Sequence, residues 1–111
     1  MPDVAELRDE GDIRIVTVRG EVDVATAPEL EERLGEAAEG APKCIVSLAE
    51  CRYIDSSGLR LLVRVAHELG ERLAVVVPPG TQVRRIFDIT GLAYQMDMHD
   101  ALPEAIAALR T

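Results

Sequence analysis

Apolar residues along this chain fall into short blocks, each closed by a glycine, a proline or an acid. Residues 12–23, DIRIVTVRGEVD, hold β-branched side chains at Ile13, Ile15, Val16, Thr17 and Val18, which predicts a strand. A weaker strand from Asp3 to Arg8 is placed to pair with it through the turn DEGD at 9–12. The next block, TAPELEERLGEAAEG, has helical spacing at Leu30, Leu34, Ala37 and Ala38. Thr26 and Glu29 are spaced as a capping box, Pro28 is tolerated in the first turn, and Gly40 closes the helix. KCIVSL at 43–48 predicts a buried strand, followed by a short loop and a helix from Ser57 to Leu69. That helix places Leu59, Leu62, Ala66 and Leu69 on one face and stops at Gly70.

RLAVVV at 72–77 reads as another buried strand, halted by Pro78 and Pro79. A third helix over 81–92 turns Val83, Ile86 and Phe87 inward and ends at Gly91 with Leu92 behind it, in the manner of a Schellman motif. A short strand from Tyr94 to Met98 and a helix from Ala101 to Arg110, capped by Asp100, complete the chain. Strand, helix, strand in this order implies right-handed parallel crossovers. The fold class is therefore α/β: one domain over residues 1–111, with a mixed β-sheet of four to five strands and about four α-helices packed against it.

Composition narrows the function. With 20 acids against 12 bases the net charge is −8, which argues against direct nucleic-acid binding, since phosphate contact needs a basic surface. The same charge suits a protein partner with a positive patch. No apolar run approaches the roughly 20 residues of a membrane span and no signal peptide opens the chain, so a cytoplasmic setting is expected. Cys44 and Cys51 match no zinc or redox spacing; Cys44 is expected in the core and Cys51 near a loop. DEGD (9–12) and DMHD (97–100) gather acids without the spacing of a metal loop, so neither metal nor cofactor is expected. Arg84 and Arg85 are assigned to the wet face of their helix, and PPG at 78–80 to a stiff turn.

The candidate chemistry lies in YIDSSGLRLL, residues 53–62. Ser56 and Ser57 fall at or beside a helix N-cap, where free backbone N–H groups and the positive helix end favour an anion. Asp55 is also a fair N-cap. Gly58 costs the helix up to about 1 kcal/mol against alanine, which is understandable where something approaches the backbone closely. A catalytic serine would need a base. His67 lies about three turns along the same helix, roughly 16 Å away. His99, before the last helix, is placed where it could fold back, but the GxSxG elbow is absent, so a hydrolase is not expected.

Three stretches in this order, VRGEVDVATAPEL (18–30), YIDSSGLRLL (53–62) and VRRIFDITGL (83–92), resemble the STAS domain family and, within it, the stand-alone bacterial anti-sigma factor antagonists. The likeness spans nearly the whole chain, and the serine motif is its most specific part. The resemblance implies that Ser56 is phosphorylated, with Ser57 as the alternative hydroxyl, by an anti-sigma factor that is itself a serine kinase. It implies that the unmodified protein binds that kinase and frees a sigma factor, that phosphorylation breaks the complex, and that a serine phosphatase restores it. Asp23, Asp55, Ser56, Ser57 and Gly58 are the partner-binding positions it implies. A STAS interaction module without a phospho-switch, such as an accessory subunit of a membrane lipid transport system or a stress-signalling scaffold, is the alternative.

Overall fold

The computed structural model describes residues 4–40 and 42–110. Five strands form one sheet in the order β1-β2-β3-β4-β5: β1 Ala5–Glu10, β2 Ile13–Val22, β3 Lys43–Ile54, β4 Leu73–Val76 and β5 Met98–His99. β1 and β2 are an antiparallel hairpin turning at Gly11 and Asp12, and every other pairing is parallel. The parallel connections run through α1 Ala27–Gly40, α2 Ser56–Leu69 and α3 Gln82–Thr90, and α4 Leu102–Arg110 ends the described chain. The expected α/β architecture with a mixed sheet and four helices is the observed one. Asp3, assigned to the first strand, lies outside the described residues.

The β-branched strands alternate between two cores, as a pleated sheet covered on both faces requires. Val16, Val18, Val22, Val46 and Leu48 meet Leu30 and Leu34 of α1, Leu62 and Val65 of α2, and Val83 and Phe87 of α3. Ile13, Ile15, Ile45, Ala74 and Val76 face the other way and are covered by Ala105 and Leu109 of α4.

Several expectations need correction. β3 does not stop at residue 48 but continues to Ile54, leaving Asp55 alone as the connection to α2. Its pairing with β2 shifts twice, between Thr17 and Arg19 and again between Gly20 and Glu21, each shift inserting one extra residue into β3. Those bulges break the two-residue alternation that marks a strand. Cys51, expected near a loop, is consequently buried in a strand opposite Gly20. The inward face of α2 is Gly58, Leu61, Leu62, Val65 and Leu69: Leu62 and Leu69 are buried as predicted, while Gly58, Leu61 and Val65 join them and Leu59 and Ala66 lie at the margin. The last strand is Met98–His99, and Leu92–Tyr94 forms a 3-10 turn instead.

Two polar assignments also change. Glu29 does not close a capping box on Thr26, because its carboxylate accepts from the backbone N–H of Val4 at 2.7 Å. Arg84 is not a wet-face residue: its Nη1 donates to the carbonyl of Val77 and to Asp100, each at 2.8 Å, tying the end of β4 to the start of α4. That contact also engages Asp100, the residue assigned as the cap of α4. Arg85 is exposed as expected.

Candidate functional site

The site grows from the register of two neighbouring strands. Val22 and Ile54 are paired at the carboxyl ends of β2 and β3, and an aspartate follows each: Asp23 and Asp55. The backbone N–H of Asp55 donates to the carbonyl of Val22 at 3.0 Å, which stitches the two strand exits together. Ligand and partner sites of open parallel sheets form outside these carboxyl ends.

Asp55 is the N-cap of α2. It has extended backbone, and its Oδ1 accepts from the N–H groups of Ser57 at 2.9 Å and Gly58 at 3.3 Å. Such caps are worth about 1 kcal/mol. Because one residue makes the whole turn from strand to helix, Ser56 falls at the first helical position and is exposed, while Ser57 is half-buried. The structure thus separates two hydroxyls that look equivalent in the sequence.

Gly58 lies beneath this surface and is buried. A Cβ built on it would meet Ile54 Cγ1 at 2.6 Å, Val22 Cγ1 at 2.7 Å and Ile54 Cδ1 at 2.9 Å. The close approach anticipated from its glycine is that of the two strand ends, so Gly58 sets how near α2 sits to the sheet.

Asp23 opens the loop between β2 and α1 and folds it on itself. Its Oδ1 accepts from the N–H groups of Ala25 at 3.0 Å and Thr26 at 3.1 Å, and its carbonyl accepts from the N–H of Ala27 at 2.8 Å. The hydroxyl of Thr26 accepts from the N–H of Asp23 at 2.9 Å and donates to the carbonyl of Glu21 at 3.0 Å. The capping that the sequence suggested for Thr26 is therefore shared with Asp23.

Val24, at the tip of this loop, is 74% exposed. Val24, Ala27, Pro28, Ser57, Leu61 and the arginines of α2 line a shallow groove of about 350 Å³ between α1 and α2. Sequence reasoning passed over Val24. Its only signal is a single valine between acid and alanine that no helical or strand period uses.

The two arginines of this groove, Arg60 and Arg64, differ in their surroundings. Arg64 is ion-paired with Glu31 of α1. Arg60 is exposed and has no ion pair among the described residues. A shallow groove lined by a half-buried serine, an exposed valine and a cation, with the exposed Ser56 hydroxyl next to it in the chain, is a surface suited to docking a partner.

The histidines do not join the serines into a nucleophilic pair. His67 is exposed further along α2, and His99 Nε2 lies 2.9 Å from Asp97 Oδ1 on β5, at the far edge of the sheet. No group of three or more metal-ligating side chains occurs among the described residues. No described helix is long and apolar enough to cross a membrane.

Comparison with known proteins places this geometry in a family. The chain is 28% identical over 104 residues to the anti-sigma-F factor antagonist RsfB of Mycobacterium tuberculosis, covering 92% of this chain and 85% of the relative. It is 39% identical over 88 residues to an anti-sigma-B factor antagonist of Staphylococcus epidermidis, covering 77% and 82%. The crystal structure of an anti-sigma factor antagonist from Mycobacterium paratuberculosis superposes with a TM-score of 0.89 at 29% identity, over 100% of this chain and 98% of that one. The STAS domain model matches residues 5–105, and with the fold and both strand–helix junctions in place, the chain belongs to the STAS domain family.

Proposed function

We propose that this protein is an anti-sigma factor antagonist switched by phosphorylation of Ser56. The observation that carries the reading is the position of Ser56: exposed, first in α2, directly after a capping aspartate and one residue before Ser57, which lines the groove with Val24. The similarity to antagonists named for their action on anti-sigma factors supports the partner class. In the unmodified protein, the groove between α1 and α2, Val24 and the small neutral hydroxyl of Ser56 dock on an anti-sigma factor, which then releases its sigma factor. The anti-sigma factor is also the kinase. The Ser56 oxygen bonds to the γ-phosphorus of ATP, ADP leaves, and the hydroxyl proton passes to a base of the kinase.

The phosphate adds about −1.5 to −2 charges inside a surface matched to a hydroxyl. Desolvating that charge costs about 3 kcal/mol or more, over a hundredfold in affinity, without any refolding. Gly58 and Asp55 hold the serine in place, and Asp23 holds the loop that carries Val24. A serine phosphatase resets the switch.

Phosphosite mapping by tandem mass spectrometry on protein from its own cells, with affinity capture by wild type, Ser56→Ala and Ser56→Asp, tests the reading. The expected result is phosphate on Ser56, with an ATP-binding anti-sigma factor held by wild type and Ser56→Ala but lost by Ser56→Asp. An unmodified Ser56 with one partner held equally by all three would sink the switch and leave a constitutive adaptor.

A further inference from the structure

Arg60 stands four residues after Ser56 on the same exposed row of α2, with Arg64 and Glu68 continuing that row. Residues four apart on a helix are surface neighbours, and side chains lean toward the helix N-terminus, so position 56 lies within reach of the Arg60 guanidinium. The favoured order for such a pair is acid first and base second. Arg64 has its acid in Glu31. Arg60 has none among the described residues, and the carboxylates nearest in sequence or across the groove are engaged: Asp55 Oδ1 on Ser57 and Gly58, Asp23 Oδ1 on its own loop, and Glu31 on Arg64. The row has a cation with an empty acid position before it, and that position is the serine.

We infer that Arg60 is the partner of the phosphate on Ser56, pairing with it within α2 once the serine is modified. The inference rests on the proposed modification of Ser56 and adds to it a second change at the docking surface. Before modification Arg60 lines the groove beside Ser57 and Leu61 with no ion pair among the described residues. Afterwards it is drawn to the phosphate, so one covalent event introduces a dianion and withdraws a positive charge from the same surface. A guanidinium suits this role because it meets two phosphate oxygens at once.

The test uses the full chain with phosphoserine installed at position 56 during synthesis, so it does not depend on whether a kinase exists in the cell. The second ionisation of the phosphate is followed by 31P NMR from pH 4 to 8 in the wild-type background and with Arg60→Gln, Arg60→Lys and Arg85→Gln. An Arg60 pair lowers that ionisation by about 0.4 pH units relative to Arg60→Gln at low salt, and the difference shrinks at about 1 M salt. Arg60→Lys should retain most of the effect and Arg85→Gln, on α3, should retain all of it. Equal titration in wild type and Arg60→Gln, or equal loss with Arg85→Gln, overturns the pairing. Absence of phosphate on Ser56 in cells would instead overturn the proposed function and leave this measurement standing.

Discussion

Val22 and Ile54 are register partners, and each is followed by an aspartate, so two strand–helix junctions leave the sheet side by side with the same residue type in first position. At the β3–α2 junction Asp55 is the entire connection, and its carboxylate caps the helix directly. Residue 56 must then stand at the helix start, and its hydroxyl is presented to solvent. At the β2–α1 junction Asp23 begins a loop over residues 23–26 and spends the same carboxylate on loop N–H groups. What this second junction displays is an apolar side chain, Val24. Connection length decides where the residue after each aspartate stands: Ser56 at a helix start, Val24 on a loop.

The comparison breaks most sharply at Gly58. Gly58→Ala forces a Cβ into Ile54 and Val22 and is expected to destabilise the protein by about 1–3 kcal/mol, read by urea denaturation. The collision is shared with Ile54, so Gly58→Ala combined with Ile54→Ala should cost less than the sum of the single changes. Additive costs would mean that α2 simply moves away from the strand ends.

Val24→Ser probes the opposite quantity. Because Val24 is exposed, its stability effect should stay within about 0.5 kcal/mol. Binding to the anti-sigma factor should weaken about tenfold, from the roughly 1.5 kcal/mol that burying a valine contributes, as measured by calorimetric titration. Unchanged affinity would remove the β2–α1 loop from the docking surface.

The two aspartates can then be compared directly. Asp55→Ala loses a helix cap and should cost about 1 kcal/mol. Asp23→Ala should cost less, since exposed loop N–H groups can turn to water, but it should loosen the loop and so lower the association rate. Equal stability losses from the two changes would erase the distinction drawn between a capping and a loop-folding aspartate.

The smallest effect concerns Cys51, in the bulged stretch of β3 that leads to Asp55. Burial raises its thiol above the ordinary 9.0. A raised folded-state value means that its contribution is complete below pH 9.0 and is lost as pH climbs from there through the folded value. Wild type should therefore lose slightly more stability than Cys51→Ala between pH 8 and 10, measured by denaturant midpoints. Both buried thiols, Cys44 and Cys51, should react with a thiol reagent at pH 8 only on unfolding.

Much of this was legible from local chemistry. Strand β2, the hairpin, helices α1 to α4 and the left-handed glycine that ends α3 all follow from residue periodicity and stop signals. The far half of β3 was not legible, because AECRYI contains two bulges and a bulge destroys the alternation by which a strand is recognised. The α2 face was read correctly at Leu62 and Leu69. Leu59 and Ala66 stood in for residues one position earlier because Gly58 carries no hydrophobic signal, although its missing side chain is what lets the helix sit against Ile54 and Val22. Glu29 and Arg84 were misassigned for a related reason: their partners, Val4, Val77 and Asp100, are brought to them by the sheet and not by the helix each belongs to.

The α/β order and the location of the serine motif at a strand–helix turn can be read from the chain alone, since they rest on periodicity and capping that act over a few residues. Which serine faces solvent, that Val24 and Ser57 line one groove, and that Arg64 has an acid while Arg60 has none among the described residues all follow from tertiary contacts. Those outcomes depend on β2 and β3 ending level after two bulges and on α1 lying against α2, and such alignments are made between segments far apart in the chain, where no local pattern records them.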